Sequence, residues 1–418
     1  MYFLRCKQMK IAGIIAEYNP FHKGHAYHIQ KTRELTGADF VIVVISGDFV
    51  QRGAPAFFPK DLRAHMALLG GADLVFELPA ISSCESAEFF AAAGVQLLDG
   101  LGCVDVLSFG SEAGDIRLFQ EAASFFANET TPFQNALRSH LKTGMSYPAA
   151  RTAAFLSSFP PSGKEEKEIA KLLSSPNNIL GIEYCKALLS LQSPIQPVTI
   201  IRKGSSYHEQ NLSESYPSAS ALRKALTDIQ KNDVPKELSS GFPDSVWNLL
   251  EHSDWKHLLL REEDFSLLFR HLLYGIPADR LAACQDMTPD LLSRILNTRD
   301  QYENFSQYVS LLKTRELTYS RISRTLFHAL LNIREVPPIA YARLLGFRRS
   351  ALPVLGRIKQ QGTLPVISKL ADVSKKLSPD ARNILEENIR ISHLYESVLC
   401  EKYSRSFTNE YRRQLIIL

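Results

Sequence analysis

Residues 11–29 read IAGIIAEYNPFHKGHAYHI, and this stretch decides the fold. The apolar run over residues 11–16 has the composition of a buried strand. An Asn-Pro pair at 19–20 interrupts it, and the tetrapeptide HKGH at 22–25 opens a segment with helical periodicity. The stretch therefore predicts a strand, a sharp loop and a helix N-terminus in direct succession.

A strand, loop and helix in this order form a natural binding site for phosphate. Backbone N–H groups and the positive end of the helix dipole attract anions at a helix N-terminus. Gly24 removes a Cβ where a ligand has to come close. His22 and His25 can donate hydrogen bonds to phosphate oxygens, and Lys23 adds positive charge. We predict a nucleotide triphosphate site without a P-loop, although two histidines and a glycine at this spacing also occur by chance.

The following segments have the pattern of a doubly wound α/β protein. Near-continuous apolar runs, typical of strands buried on both faces, alternate with segments of helical period. Ligands of such folds bind at the carboxyl ends of the strands, where HKGH also lies. The predicted strands after the first one are 38–45, 72–78, 104–109 and 197–201, and the predicted helices between them include 60–69 and 85–98.

Three later segments carry residues suited to a nucleotide. Gly110, after the fourth strand, permits close approach of a base or ribose, although a turn glycine has the same appearance. Asn177 or Asn178 can offer a side-chain amide, and either Ser175 or Asn177 can cap a helix. Two hydroxyls and an arginine in SASALR, residues 218–223, can hold a triphosphate as a second clamp opposite HKGH.

These segments carry a family resemblance. AEYNPFHKGH at 16–25 resembles the GxFxPxHxGH signature of the HIGH-type nucleotidyltransferase superfamily, and PSASALR at 217–223 resembles its ISSTxxR motif. Together with Gly110, SPNNILGIEY at 175–184 and IRKGSSYHE at 201–209, the ordered set resembles the tRNA(Met) cytidine acetate ligase family. The resemblance covers most of residues 10–225, and the rest of the chain more loosely.

The resemblance implies a fold and a set of site residues. The fold is a Rossmann-like doubly wound parallel sheet, at residues 1–230, followed by a mostly α-helical domain at 231–418. The implied catalytic residues are His22 and His25. The implied ATP contacts are Ile15, Ala16, Glu17, Tyr18, Asn19, Pro20, Phe21, His22, Lys23, Gly24, His25, Ala26, Tyr27, His28, Gly110, Asn177, Arg202, Ser218, Ser220 and Arg223. The asparagine is uncertain by one position, and SAS stands where many relatives have SST.

The resemblance also implies a two-step reaction. Acetate attacks the α-phosphate of ATP, giving acetyl-adenylate and pyrophosphate. The N4 amine of the wobble cytidine of elongator tRNA(Met) then takes the acetyl group, giving N4-acetylcytidine and AMP. Mg²⁺ is expected as the counterion of the triphosphate, without a dedicated protein metal site. Two alternatives stay open: a small-molecule adenylyltransferase of cofactor biosynthesis, and an RNA-binding protein with a relict nucleotide fold.

The C-terminal half favours an RNA partner. Residues 321–370 contain nine basic residues and one acidic residue, a local excess of +8 in a chain of net charge +4. Arginines alternate there with Tyr341 and Phe347, a combination that grips RNA backbone and stacks unpaired bases. Core packing is the alternative for each single aromatic. The predicted tRNA-binding residues are Arg321, Arg324, Arg343, Arg348 and Arg349.

Composition bounds the class of protein. The chain has 418 residues, 45% hydrophobic and 22% charged, as expected of a globular protein with room for two domains. No apolar run reaches the roughly 18 residues of a spanning helix, and the N-terminus lacks a signal peptide pattern. Six scattered cysteines without a CxxC pair argue for reduced thiols and against a zinc site. We expect a cytoplasmic enzyme without a membrane partner, with Met1 or Met9 as its start and an undetermined oligomeric state.

Overall fold

A β-sheet covered by helices on both faces forms the centre of the chain. The computed structural model describes residues 9–158, 164–202, 217–228 and 236–418, without the side chains of 164–167 and 236–237. The strands are β1 (Ile11–Ala16), β2 (Phe40–Ser46), β3 (Phe49–Val50), β4 (Ala54–Pro55), β5 (Leu74–Leu78), β6 (Val106–Ser111), β7 (Gln196–Ile201), β8 (Ala342–Phe347), β9 (Val366–Ile367) and β10 (Ile416–Ile417).

The helices of the N-terminal half cover the sheet, and helices of the C-terminal half pack both on the sheet and in a separate core. Up to residue 228 they are α1 (Lys23–Thr36), α2 (Lys60–Leu69), α3 (Ala80–Ser83), α4 (Ala87–Gly100), α5 (Ile116–Ala127), α6 (Thr131–Lys142), α7 (Tyr147–Ser158), α8 (Lys164–Ser174), α9 (Pro176–Ser190) and α10 (Ala219–Asp228). From residue 236 they are α11 (Lys236–Ser239), α12 (Asp244–Glu251), α13 (Ser266–Gly275), α14 (Ala278–Ala282), α15 (Pro289–Thr298), α16 (Phe305–Leu312), α17 (Tyr319–Leu331), α18 (Leu352–Gln361), α19 (Val373–Lys376) and α20 (Pro379–Tyr403).

The predicted doubly wound parallel sheet is confirmed. The described residues form an eight-stranded sheet of order β10-β8-β5-β2-β1-β6-β7, with β9 beside β8, and a separate hairpin of β3 and β4. Strands β5, β2, β1, β6 and β7 run parallel to one another. β1 is therefore flanked by parallel strands on both sides, which explains its near-continuous apolar sequence.

Residues of β1 alternate between two hydrophobic cores. Ile11 and Ile15 face the core built with α4 and α9, whereas Ala12 and Ile14 face the core built with α1 and α2. This is the two-residue period of a strand. Gly13 is required for the close packing of α4, because a Cβ there would lie 2.7 Å from Leu98 Cδ1. The carboxyl end of β1 thus has helices on both faces, and it leads directly into the HKGH loop.

The C-terminal half completes the sheet. β8 runs antiparallel to β5, and both β9 and β10 run parallel to β8. A third core packs Phe49 and Ile81 against helices α13, α16, α17 and α20. The predicted domain boundary at residue 230 therefore stays a prediction. The sheet contains strands from both sides of that boundary.

A buried network of charges joins the two halves at β5. Lys60 Nζ lies 3.0 Å from Glu77 Oε1 and 2.6 Å from Glu410 Oε1. Arg343, on β8, pairs with the same two carboxylates at 3.1 and 2.9 Å. Removing one member would leave an unpaired buried charge, so the network couples the C-terminal segment to the sheet. Arg343 is only 6% exposed. This burial disfavours a contact with tRNA, which stays a prediction.

Candidate active site

The first turn of α1 is organised by its two histidines. His22 is the N-cap of α1, and its Nδ1 accepts a hydrogen bond from Gly24 N at 3.0 Å. His25 Nδ1 accepts one from His22 N at 3.2 Å, and the two rings stack with centroids 3.8 Å apart. A neutral imidazole that accepts through Nδ1 carries its proton on Nε2. Each histidine therefore keeps an Nε2–H group for a ligand.

The position of the His22 ring requires a glycine at position 24. A Cβ there would lie 2.8 Å from Cε1 of the His22 ring, closer than two carbon atoms can pack. The capping ring and a side chain at this position exclude each other. Gly24 thus permits the cap as well as the approach of a ligand to the backbone.

The histidines of this loop are uncharged at neutral pH. Burial lowers the pKa of His22 to about 3, and the positive charges of Arg202 and Arg223 act in the same direction. Burial, followed by His22 and Arg202, lowers the pKa of His25 well below its ordinary value. His28, whose Nε2 lies 3.1 Å from Ser108 Oγ, has its pKa lowered to about 4 by burial and by Arg202. The histidines offer neutral donors, and the arginines supply the positive charge.

The SASALR segment lies against the HKGH loop. Arg223 Nη1 donates to Asn19 O at 2.7 Å and Nη2 donates to Ser220 Oγ at 3.1 Å. Ser218 Oγ accepts from Ala221 N at 3.1 Å and so caps the start of α10. Two helix N-termini, each with side-chain donors, therefore meet at one place, as the sequence predicts for a triphosphate clamp.

The predicted glycine and asparagine lie on neighbouring elements. Gly110 lies on β6 and Arg202 directly follows the paired strand β7, and a Cβ on Gly110 would lie 3.2 Å from Arg202 Cγ. Asn178 is fully buried, and its Oδ1 accepts from Glu112 N at 2.9 Å and from Ala113 N at 3.3 Å. Asn177 Nδ2 instead donates to Glu112 Oε1 at 2.6 Å and lines the cavity. The structure thus favours Asn177 over Asn178 as the ligand-facing residue.

These segments enclose a cavity of about 900 Å³ at the carboxyl ends of β1, β6 and β7. Four of the predicted ATP contacts do not line it: Pro20, Phe21, Lys23 and Ala26. Phe21 is fully buried and packs on the α2 C-terminus at Gly70. The predicted contacts that do line it are Ile15, Ala16, Glu17, Tyr18, Asn19, His22, Gly24, His25, Tyr27, His28, Gly110, Asn177, Arg202, Ser218, Ser220 and Arg223. Their contact with ATP stays a prediction, and residues 203–209 of the IRKGSSYHE segment lie outside the described residues.

The cavity has walls that the site prediction missed. One comes from the hairpin of β3 and β4, including Gln51 and Arg52, and another from Phe90 and Tyr184. The C-terminal half contributes a third, with Leu260, Arg261, Glu262, Ser320 and Arg324. The polar loop QRGAP at 51–55 could have indicated the first of these walls from the sequence. Phe90 and Tyr184 could not, because they resemble any core residue in the sequence.

The hairpin is held against the C-terminal half by its glycine. Gly53 has a φ of +72°, and a Cβ there would lie 2.3 Å from Arg324 Cα. Ser323 Oγ donates to Gly53 O across the same contact. Only glycine combines this backbone conformation with such a close approach. α17 therefore forms a fixed wall beside the nucleotide cavity.

The predicted tRNA-binding arginines have different environments. Arg324 lines the cavity and its Nε donates to Asp286 Oδ2 at 3.0 Å, while Arg321 lies one turn earlier on α17. Arg349 is exposed. Arg348 Nε donates to the carbonyls of Leu68 and Ala72, both at 3.1 Å.

Arg348 therefore caps the C-terminal end of α2. These bonds disfavour a contact between its guanidinium and tRNA, and that contact stays a prediction. The aromatic residues predicted to stack on RNA bases, Tyr341 and Phe347, are both buried in hydrophobic cores.

Among the residues that the structure describes, no three His, Cys, Asp or Glu side chains are grouped in a way that could hold a metal ion. No helix in the described part of the chain has the length and apolar character to cross a membrane.

Known proteins resemble this chain over nearly its whole length. A family model described as HIGH Nucleotidyl Transferase matches residues 9–410. A tRNA(Met) cytidine acetate ligase of Acetivibrio thermocellus is 35% identical over 421 residues, covering 98% of this chain and 100% of that protein. A tRNA(Met) cytidine acetate ligase of Clostridium kluyveri is 40% identical over 375 residues, covering 87% of this chain and 90% of that protein.

Solved structures show the same architecture. The crystal structure of Thermotoga maritima TmcAL in an apo form matches with a TM-score of 0.91 at 27% identity, covering 98% of this chain and 100% of that one. The crystal structure of the same protein bound with alpha-thio ATP matches with a TM-score of 0.88 at 26% identity, with the same coverage.

Proposed function

Because this chain belongs to the HIGH nucleotidyl transferase family, and within it to the tRNA(Met) cytidine acetate ligases, we propose that it is an ATP-dependent ligase that acetylates N4 of the wobble cytidine of elongator tRNA(Met). The observation that carries the proposal is the convergence of HKGH and SASALR on one cavity. The ATP analogue bound to Thermotoga maritima TmcAL supports ATP as the nucleotide.

The first step forms acetyl-adenylate. A carboxylate oxygen of acetate attacks the α-phosphorus of ATP, the bond from that phosphorus to the bridging oxygen breaks, and pyrophosphate leaves. Negative charge shifts toward the leaving phosphates. Nε2–H of His22 and of His25 donate to phosphate oxygens, and Arg202 and Arg223 lie close enough to lower the His22 pKa, so their charge also acts on these oxygens. Donors held in place before the reaction stabilise the transition state without reorganisation.

The second step transfers the acetyl group. The N4 amine attacks the acyl carbon, the bond from that carbon to the phosphate oxygen breaks, and AMP leaves with the electron pair. The nitrogen loses one proton as the amide forms. No covalent enzyme intermediate is required. Among the described cysteines, Cys84, Cys103 and Cys185 support this, because burial raises the pKa of each thiol and keeps it protonated.

The tRNA reaches the cavity along its C-terminal wall. Arg52 and Arg261 are exposed and line the cavity, and Arg324 lines it from α17. A cationic rim around a cavity suits a phosphate backbone, whose contacts position a nucleotide without reading its base. Arg321, on the same helix as Arg324, extends this proposed surface. Arg349 follows the end of β8, which pairs with the start of β5, so it lies at the opposite edge of the sheet from the cavity and would be a separate contact. Mg²⁺ enters the proposal only as the ion that accompanies ATP, with Glu17, Asp228 and Glu262 as the cavity-lining carboxylates.

One incubation tests the proposal. The purified chain is mixed with ATP, labelled acetate and bulk tRNA, and the tRNA is digested to nucleosides for mass spectrometry. We expect labelled N4-acetylcytidine together with equal amounts of AMP and pyrophosphate. Product formed from acetyl-coenzyme A without ATP would contradict the ligase mechanism, and labelled adenylate without tRNA product would contradict the acceptor.

A further inference from the structure

We propose that acetate, and then the acetyl group of the adenylate, occupies an aromatic subsite lined by Ile15, Ala87, Phe90, Phe109 and Tyr184, and that this subsite selects acetate over longer carboxylates. The proposal rests on the proposed function. It names the place in the cavity where the acyl donor binds, and it assigns Tyr184 as a positioning residue for the carboxylate.

Two other walls of the cavity do not suit a methyl group. The wall formed by His22, His25, Arg202 and Arg223 consists of phosphate donors and cations. The rim toward the C-terminal half carries Arg52, Arg261 and Arg324, and is suited to a polyanion. A methyl group gains free energy only where it leaves water for apolar surface.

The wall that contains Phe90, Phe109 and Tyr184 offers such a surface. Phe90 and Phe109 are 2% and 4% exposed, and both line the cavity. Phe109 packs on Tyr184 with ring centroids 5.8 Å apart. Ile15, the last apolar residue of β1 on this face, lies directly against α4, because a Cβ on Gly94 would come within 2.8 Å of Ile15 Cδ1. The main hydrophobic core therefore packs directly against the subsite.

Two polar features at the same wall suit a carboxylate. The Tyr184 side chain is 96% buried and lines the cavity, and its hydroxyl makes no hydrogen bond to any residue in the described ranges. Burial, followed by the charge of Glu17, raises the Tyr184 pKa, so the phenol keeps its proton and can donate. α4 begins at Ala87, and its N-cap residue Ser86 accepts no capping hydrogen bond among the described residues. The N–H groups of this first turn remain available to an anion.

The first test separates acetate from ATP. Tyr184→Phe keeps the ring and removes one donor to a charged oxygen, so we expect KM for acetate to rise by about 10- to 100-fold. KM for ATP and the unfolding transition should stay as in the wild type. The assay is acetate-dependent exchange of labelled pyrophosphate into ATP, which requires no tRNA.

The second test concerns size. Ala87→Val narrows the subsite at a half-exposed position, so it should fold normally and raise KM for acetate. Phe90→Val widens the subsite, and the ratio of kcat/KM for propionate to that for acetate should rise by about tenfold or more. Phe89→Val is the matched control, since Phe89 lies next in sequence on α4 but is 41% exposed and does not line the cavity.

The outcomes are distinct. If Tyr184→Phe and Ala87→Val weaken ATP binding and leave KM for acetate unchanged, the aromatic wall holds the base or ribose and the proposal is overturned. Unchanged carboxylate selectivity in Phe90→Val overturns it as well. If the wild-type protein shows acetate-dependent pyrophosphate exchange but modifies no tRNA, the proposed acceptor is refuted. The acyl subsite is still supported in that case when the variants behave as expected. A wild-type protein without acetate-dependent exchange refutes both.

Discussion

His22 uses its two ring nitrogens for different purposes, and substitutions can separate them. Nδ1 accepts from Gly24 N at 3.0 Å and caps α1, whereas Nε2 is the donor that we assign to a phosphate oxygen. Asparagine places its amide oxygen near the position of Nδ1, and glutamine places its amide nitrogen near that of Nε2. His22→Asn therefore keeps the cap and removes the phosphate donor, and His22→Gln does the opposite.

The two substitutions should change different quantities, the free energy of unfolding in one case and kcat in the other. Loss of the cap in His22→Gln should lower the free energy of unfolding by about 0.5–2 kcal/mol. Loss of the preorganised donor in His22→Asn should lower kcat by about 10²- to 10³-fold with little change in stability. Because burial and the two arginines lower the His22 pKa to about 3, neither effect should depend on pH between about 6 and 9.

Two measurements check this prediction on the same protein samples. Urea denaturation gives the free energy of unfolding, and acetate-dependent pyrophosphate exchange gives the rate. The reasoning is refuted if His22→Asn exchanges at the wild-type rate, or if His22→Gln is as stable as the wild type. A step in the pH–rate profile that disappears in His22→Asn would refute the assignment of a neutral histidine.

Three further predictions follow from single contacts. Asn177→Ala should weaken ATP binding with little loss of stability. Asn178→Ala leaves two backbone N–H groups of the loop after β6 without their acceptor, so it should lower the free energy of unfolding by about 2–4 kcal/mol in urea denaturation. Burial raises the pKa of Glu85 to about 8, so the folded chain holds a proton that the unfolded chain releases near pH 4.3. Stability should therefore fall as pH rises between these values, and in Glu85→Gln thermal unfolding should show no such fall. Arg348→Ala should lower the free energy of unfolding by about 1–3 kcal/mol because it uncaps α2. Arg349→Ala should leave stability unchanged and should flatten the salt dependence of tRNA binding by about 0.7–0.9 log units per log unit of salt.

Local sequence determined the elements and the two loops that we propose to bind phosphate. The apolar runs of β1, β2, β5, β6 and β7 carry the period and composition of buried parallel strands, so their positions were predictable within about two residues. The N-termini of α1 and α10 were predictable because a capping residue and the helical period that follows it are neighbours in the chain. Their meeting at one cavity follows from the rule that ligands bind at the carboxyl ends of parallel strands.

Tertiary structure alone decided which side chains are available. Arg343 and Arg349 both belong to the same basic segment, yet one is buried against Glu77 and Glu410 and the other is exposed. No local pattern separates them, because the carboxylates that bury Arg343 lie 266 and 67 positions away in the chain. The same holds for Tyr184 and Phe90, whose sequence context is that of ordinary core helices. A side chain faces a core or a cavity according to what packs against it, and those partners are brought together only by the folded sheet.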